Sequence, residues 1–261
     1  MKISCLQMDV RPECPDDNFA NAARLIGRAM EHKPDVLVLP EMWNAGFFPK
    51  KEPLRFCDCD LTRVKAEIGG LAKRYGVNIV AGSVSNLRDG KLYNTACVFN
   101  QQGVCIASYD KTHLFSPSGE NELYEKGQQI CSFTLDGVRC GIIICYDLRF
   151  PELPRALRLS GVDLLFAVSQ WPKERISHLQ CLTAARAIEN QMFVVCCNAC
   201  GTAGDSVCGG NSAIIDPLGK MLALAAETEE IITADCGMEV LQTIRSSIPV
   251  FRDRRPELYR Q

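Results

Sequence analysis

Along the chain, short apolar runs alternate with longer stretches in which apolar residues recur every three to four positions. That alternation is the mark of strands interleaved with helices. Residues 3–10 open with an apolar run and predict a strand. Over 16–32, Ala, Leu, Ile and Met fall at helical spacing. The order then repeats with a strand over 35–39 stopped by Pro40, a helix across 61–75 and a strand over 77–84. A further strand is expected over 103–110. Asp89-Gly90 and Asp136-Gly137 lie between apolar runs and read as hairpin turns, and Pro217-Leu218-Gly219 marks another turn. The run 138–144 predicts a strand, followed by a helix to about Ser160, strand 163–168, helix 177–190 and strand 192–197. Two halves with this order predict an α/β fold with two sheets face to face and helices outside. No internal repeat, low-complexity segment or linker interrupts it, so a single domain over residues 1–261 is expected.

Composition narrows the picture. With 47% hydrophobic residues, a chain of 261 residues can bury one large core. A net charge of −2, with no basic stripe interleaved with aromatics, argues against a nucleic-acid surface. No apolar stretch is long enough to span a bilayer, and the chain opens directly into a strand instead of a signal peptide, so a cytoplasmic protein is expected. The fifteen cysteines are odd in number and unsuited to a secreted disulfide framework, and they read as reduced core thiols. Cys57-Asp58-Cys59 and the run Cys196, Cys197, Cys200 are the tight clusters. Only Cys197 and Cys200 have local metal-ligand spacing, so neither a metal nor another cofactor is expected.

Three residues carry the candidate chemistry. Cys145 ends the apolar run 138–144 at a predicted strand-to-helix junction, where backbone N–H groups and a helix dipole would lower a thiol's pKa and stabilise an oxyanion. Glu41 directly follows strand 35–39, and Lys111 directly follows strand 103–110. All three therefore sit at the carboxyl ends of predicted strands, the edge at which ligands bind in open α/β sheets. Together they suit nucleophilic catalysis. The Cys145 thiol attacks, Glu41 takes its proton, and Lys111 with the Tyr146 backbone N–H faces the oxyanion. Other catalytic patterns are weak. There is no Gly-x-Ser-x-Gly elbow and no phosphate loop. Of the three histidines, His32 and His178 fall at helix ends, while His113 adjoins Lys111. A thiol-rich redox or metal-binding protein is the alternative from another class.

The motifs around these residues resemble those of the nitrilase, or carbon–nitrogen hydrolase, superfamily. Leu39-Pro40-Glu41-Met42-Trp43, Tyr109-Asp110-Lys111-Thr112-His113-Leu114-Phe115 and Gly141-Ile142-Ile143-Ile144-Cys145-Tyr146-Asp147-Leu148-Arg149-Phe150-Pro151-Glu152 carry the resemblance, which extends over essentially the whole chain. It implies a four-layer αββα sandwich, a Glu41-Lys111-Cys145 triad and a second glutamate, matched by Glu120 or else Glu122. Ser169-Gln170-Trp171-Pro172 and Ala184-Ala185-Arg186-Ala187-Ile188-Glu189-Asn190 resemble the ω-amidase branch. That implies hydrolysis of a small carboxylated amide such as 2-oxoglutaramate, with Tyr146, Arg149 and Trp171 as candidate substrate contacts. Arg149 suits a carboxylate through its planar fork, although it could instead pair with Asp147 or Glu152. Another nitrilase or carbamoylase activity remains open. The resemblance further implies a homodimer or higher homo-oligomer, with the tail over 252–259 either ordered against a partner subunit or frayed. The loops over 43–50 and 112–126 are expected to decide which amide fits.

Overall fold

The computed structural model describes residues 1–47, 52–203 and 206–259. In chain order the strands are β1 (Lys2–Gln7), β2 (Val36–Val38), β3 (Asp58–Cys59), β4 (Asn78–Arg88), β5 (Lys91–Phe99), β6 (Cys105–Asp110), β7 (Cys131–Leu135), β8 (Val138–Ile144), β9 (Leu164–Ser169), β10 (Phe193–Asn198), β11 (Cys200–Ala203), β12 (Ser206–Gly209), β13 (Ala213–Ile215), β14 (Met221–Leu224) and β15 (Glu230–Asp235). The helices are α1 (Pro15–Ala29), α2 (Thr62–Tyr75), α3 (Glu120–Leu123), α4 (Glu152–Leu159), α5 (Ile176–Asn190) and α6 (Val240–Ser247). One sheet runs β15-β1-β2-β4-β5-β6, with β3 added on β4. The second runs β14-β13-β10-β9-β8-β7, and β11 and β12 form a separate ribbon.

The strands of the first sheet are apolar on both faces because both faces are covered. Ile3, Cys5, Val36, Val38 and Val80 join Ile142, Phe166 and Val195 of the second sheet in one apolar cluster. Their neighbours Leu6, Leu37, Leu39, Ile79 and Ala81 point the other way, packing with Phe19, Leu25 and Ile26 of α1 and Val64 and Ile68 of α2. Leu157 of α4 and Leu179 and Ala187 of α5 cover the second sheet. The result is the αββα sandwich. No helix among the described residues is long and apolar enough to cross a membrane.

Local signals explain the element ends. Pro15 opens α1 with Asp16 and Asp17 in its first turn and Arg28 in its last, matching the helix dipole. Asp58 caps α2 from outside, accepting from Arg63 N at 3.1 Å and Val64 N at 2.9 Å. Asp89-Gly90 and Asp136-Gly137 turn β4 into β5 and β7 into β8, all four residues with positive φ. The single helix expected from Cys145 to Ser160 is instead a 3₁₀ turn, Cys145–Arg149, followed by α4. Phe150 stands before Pro151 and is held extended (φ −103, ψ 96), which breaks the helical path.

The cysteine reading needs correction. All fifteen are free, but only Cys5, Cys97, Cys140, Cys145, Cys196, Cys197, Cys200, Cys208 and Cys236 are buried. Cys14, Cys59 and Cys181 are exposed, with Cys57, Cys105 and Cys131 between. Just before the tail over 252–259, the Phe251 ring lies 4.9 Å from the Arg155 guanidinium and 5.1 Å from that of Arg158.

Candidate active site

Three chain segments converge where strands of the two sheets end. Glu41 leaves β2 through Leu39 and Pro40. A bulge in β4 between Val80 and Ser83 lets this turn sink against the sheet. Gly82, at φ +58, lies under it, and a Cβ there would stand 1.9 Å from the Pro40 carbonyl. Ser83 N donates to Pro40 O (3.1 Å), Trp43 N to Ser83 O (3.2 Å) and Met42 N to Ser83 Oγ (3.1 Å), fixing the turn. Lys111 follows β6, with its backbone N–H on Asn94 O at 2.9 Å. Cys145 follows β8 at φ +46, a left-handed conformation unusual for a residue with a side chain.

These turns bring the side chains together in a closed polar cluster. Lys111 Nζ donates to Glu41 Oε1 at 2.9 Å and to Glu120 Oε2 and Oε1 at 2.9 and 3.1 Å. Lys111 and Glu41 are fully buried and Glu120 is 1% exposed, so nothing but protein surrounds the ion pairs. Of the two candidate glutamates, it is Glu120 that contacts Lys111. Glu122, two residues on, is exposed. Glu120 is further fixed by Phe115 N, 2.6 Å from Oε2. Burial alone would drive the Lys111 ammonium toward neutrality, but Glu41 and Glu120 outweigh it and hold its pKa well above the usual lysine value.

The Cys145 thiol lies against this cluster, beside the Glu41 carboxylate and the Gln170 backbone. The expected lowering of its pKa does not occur. Desolvation, and then the negative charge of Glu41, push it well above the usual thiol value, against the opposing pull of Lys111. The helix expected to supply a dipole here is only a five-residue 3₁₀ segment, so the dipole invoked for the lowering is short. Cys145 is 8% exposed while Glu41 and Lys111 are at 0%, so of the three it is the residue nearest to solvent.

Residues unassigned from sequence complete the frame. Asn94, fully buried in β5, donates from Nδ2 to both Glu41 Oε1 (2.9 Å) and Glu120 Oε1 (3.0 Å). A lone Asn within the run Leu92–Phe99 is its only sequence signal. Gln170 donates its backbone N–H to Glu41 Oε2 (2.8 Å) and its side-chain amide to the Glu41 carbonyl (2.8 Å), gripping the carboxylate and its backbone at once. Arg186 reaches from α5 to the Leu148 carbonyl in the turn after Cys145 through Nε (3.1 Å) and Nη2 (2.9 Å).

The candidate substrate contacts lie beside the cluster. The Arg149 guanidinium sits 4.6 Å from the centroid of the Trp171 ring. Its Nη2 is 3.4 Å from His178 Nδ1, and no ion pair to Asp147 or Glu152 forms. Trp171 is buried, with its indole N–H on the Arg175 carbonyl at 2.8 Å. The Tyr146 ring packs edge-on to Phe115 and Phe150, at 5.0 and 5.2 Å. His113 stacks on Phe150 at 3.8 Å and turns Nδ1 toward Asp147. Of the loop over 43–50, residues 48–50 lie outside the described residues. Phe47 is described, and Lys111 Nζ lies 5.8 Å from its ring centre. Among the described residues, no group of three or more His, Cys, Asp or Glu converges as for a metal ion.

Comparison with known proteins gives a consistent picture. A family model described as carbon–nitrogen hydrolase matches residues 2–246. A 2-oxoglutaramate amidase from Bacillus subtilis is 40% identical over 258 residues, covering 98% of both chains. A hydrolase in the agr operon of Staphylococcus aureus is 37% identical over 262 residues, covering 100% of both. Among solved structures, a carbon–nitrogen hydrolase superfamily protein from Xanthomonas campestris, with an arsenic adduct in its active site, superposes with a TM-score of 0.91. It is 29% identical, covering 98% of this chain and 97% of its own.

Proposed function

Because the chain belongs to the carbon–nitrogen hydrolase family, we propose that it is an amidase that cleaves the terminal amide of a small 2-oxo dicarboxylic acid monoamide of the 2-oxoglutaramate type. The observation that carries this reading is Lys111 held between Glu41 and Glu120, with the Cys145 thiol against Glu41. The 2-oxoglutaramate amidase of B. subtilis supports the substrate class.

On this reading the resting thiol is neutral, since its pKa is raised. Glu41 accepts the proton as Sγ bonds to the amide carbon, so the thiolate exists only as it attacks. The oxyanion faces the Lys111 ammonium and the Tyr146 backbone N–H. Both are fixed before substrate arrives and need no reorganisation. Glu41 returns the proton to the departing nitrogen, ammonia leaves, and a thioester on Cys145 remains. Water deprotonated by Glu41 then hydrolyses the thioester and restores the thiol. Glu120 and Asn94 keep Lys111 and Glu41 in place throughout. Arg149, supported by Trp171 and free of an acidic partner among the described residues, receives the substrate carboxylate.

The same reading has the chain act as one domain over residues 1–261, in the cytoplasm, as a homodimer, without metal or cofactor. Ammonia release from 2-oxoglutaramate, glutamine, asparagine and a simple nitrile tests the substrate class. The 2-oxo amide should turn over at least about 100-fold faster in kcat/KM than glutamine, the range set by an unfilled polar contact. Preference for the nitrile, or silence on the 2-oxo amide with activity on another, would move the function elsewhere in the family.

A further inference from the structure

Asp147 follows the nucleophile by two residues, is fully buried, and takes five hydrogen bonds. Oδ1 accepts from Thr112 Oγ1 (3.1 Å), His113 N (3.0 Å) and His113 Nδ1 (2.8 Å), all on the loop that carries Lys111. Oδ2 accepts from Tyr109 OH (2.7 Å) and from Ile144 N (2.9 Å), the residue before Cys145. The two catalytic segments belong to different sheets, with Lys111 after β6 and Cys145 after β8. One buried carboxylate therefore ties them together.

The donors are not equivalent. A hydroxyl can rotate and accept instead of donating, whereas a backbone N–H can only donate. Each oxygen of Asp147 holds one backbone N–H, His113 N on Oδ1 and Ile144 N on Oδ2. An asparagine of the same shape has one carbonyl oxygen and one NH₂ group. In either orientation its NH₂ would oppose one of the two backbone amides, releasing the Lys111 loop or the Cys145 turn. The turn is the costlier to release, because Cys145 is held at φ +46 by what surrounds it.

We propose that Asp147 is a positioning residue which fixes the Lys111 loop against the Cys145 turn, and that only a carboxylate can do so. This rests on the assignment of Cys145 and Lys111 made above. The test is the rate at which iodoacetamide alkylates Cys145, which needs no knowledge of the substrate, together with kcat and KM for 2-oxoglutaramate. Asp147→Asn should remain folded by circular dichroism, with alkylation slowed about 30-fold. Its kcat should fall about 100-fold while KM stays within about threefold, because the reacting groups and not the binding contacts are displaced. Folded Asp147→Asn with alkylation and kcat near those of the parent would overturn the proposal. So would a raised KM with alkylation unchanged.

A second variant stands even if Asp147→Asn does not fold. The substitution Thr112→Val removes one reversible donor but leaves both backbone amides on the carboxylate. It should keep alkylation within about threefold of the parent, and a loss of 30-fold or more would show that the amide pair is not what holds the loops. Turnover of 2-oxoglutaramate by Cys145→Ala at the parent's rate would instead remove the nucleophile assignment, and this inference with it.

Discussion

Lys111 is fully buried, and its charge is sustained chiefly by Glu41 and Glu120. Removing the ammonium leaves two buried carboxylates facing each other. Lys111→Met should therefore lower stability by about 3–5 kcal/mol, the usual result of breaking a buried ion pair from one side. Adding Glu120→Gln to that variant should recover much of the loss by denaturant unfolding, since one uncompensated charge is gone. Activity should stay absent in the double variant, because the ammonium that faces the oxyanion is gone and the Tyr146 backbone N–H is left to face it alone. Recovery of activity along with stability would deny Lys111 any role beyond structure. The convergence of Glu41, Lys111 and Cys145 is legible in the sequence because each directly follows a predicted strand. Asn94, Gln170 and Asp147 are not, because their importance lies in which groups the fold brings to them. The charge state of Cys145 was misjudged from sequence for a related reason, since proximity to a helix start says nothing about the desolvation that dominates.

Among the elements, the turn after β2 is the most demanding. It packs so closely on the β4 bulge that only glycine fits at position 82. Gly82→Ala drives a methyl group into the Pro40 carbonyl and must displace the segment carrying Glu41. It should reduce kcat by about 100-fold. Gly90→Ala, at a hairpin position with positive φ but open space around it, should cost only about 1 kcal/mol and leave kcat unchanged. Equal effects of the two on kcat would mean that the bulge does not position Glu41. The elements with period-two or helical patterning, such as β2, β4, α2 and α5, are readable to within a few residues. The 3₁₀ turn at Cys145–Arg149 is less so, since it depends on Asp147 and on the extended Phe150 before Pro151. β14 and β15 are missed although β14 is the apolar run Met221–Leu224, because both are largely half-exposed and neither alternates apolar with polar residues.

At the scale of the whole molecule, the buried thiols make the fold sensitive to alkali. Burial pushes Cys140, Cys196, Cys200, Cys208 and Cys236 up to about 12, against an ordinary value of 9.0. Below pH 9 both folded and unfolded chains hold these protons, and the thiols contribute no pH dependence. Above it the unfolded chain releases protons that the folded chain retains, so stability falls as pH rises from about 9 toward 12. Thermal unfolding in reducing buffer should show Tm declining steadily between those limits. A flat profile to pH 11 would mean that the thiols are not desolvated. The face-to-face sheets, by contrast, follow from the order of strands and helices alone, because a strand apolar on both faces must be covered twice.

The most direct test of the proposed mechanism is ammonia release from 2-oxoglutaramate by the parent enzyme, Cys145→Ala and Glu41→Gln, each confirmed as folded. Both variants should lose at least about 10⁴-fold in kcat, since one lacks the nucleophile and the other cannot accept its proton. Turnover by Cys145→Ala within tenfold of the parent would contradict the account at its centre.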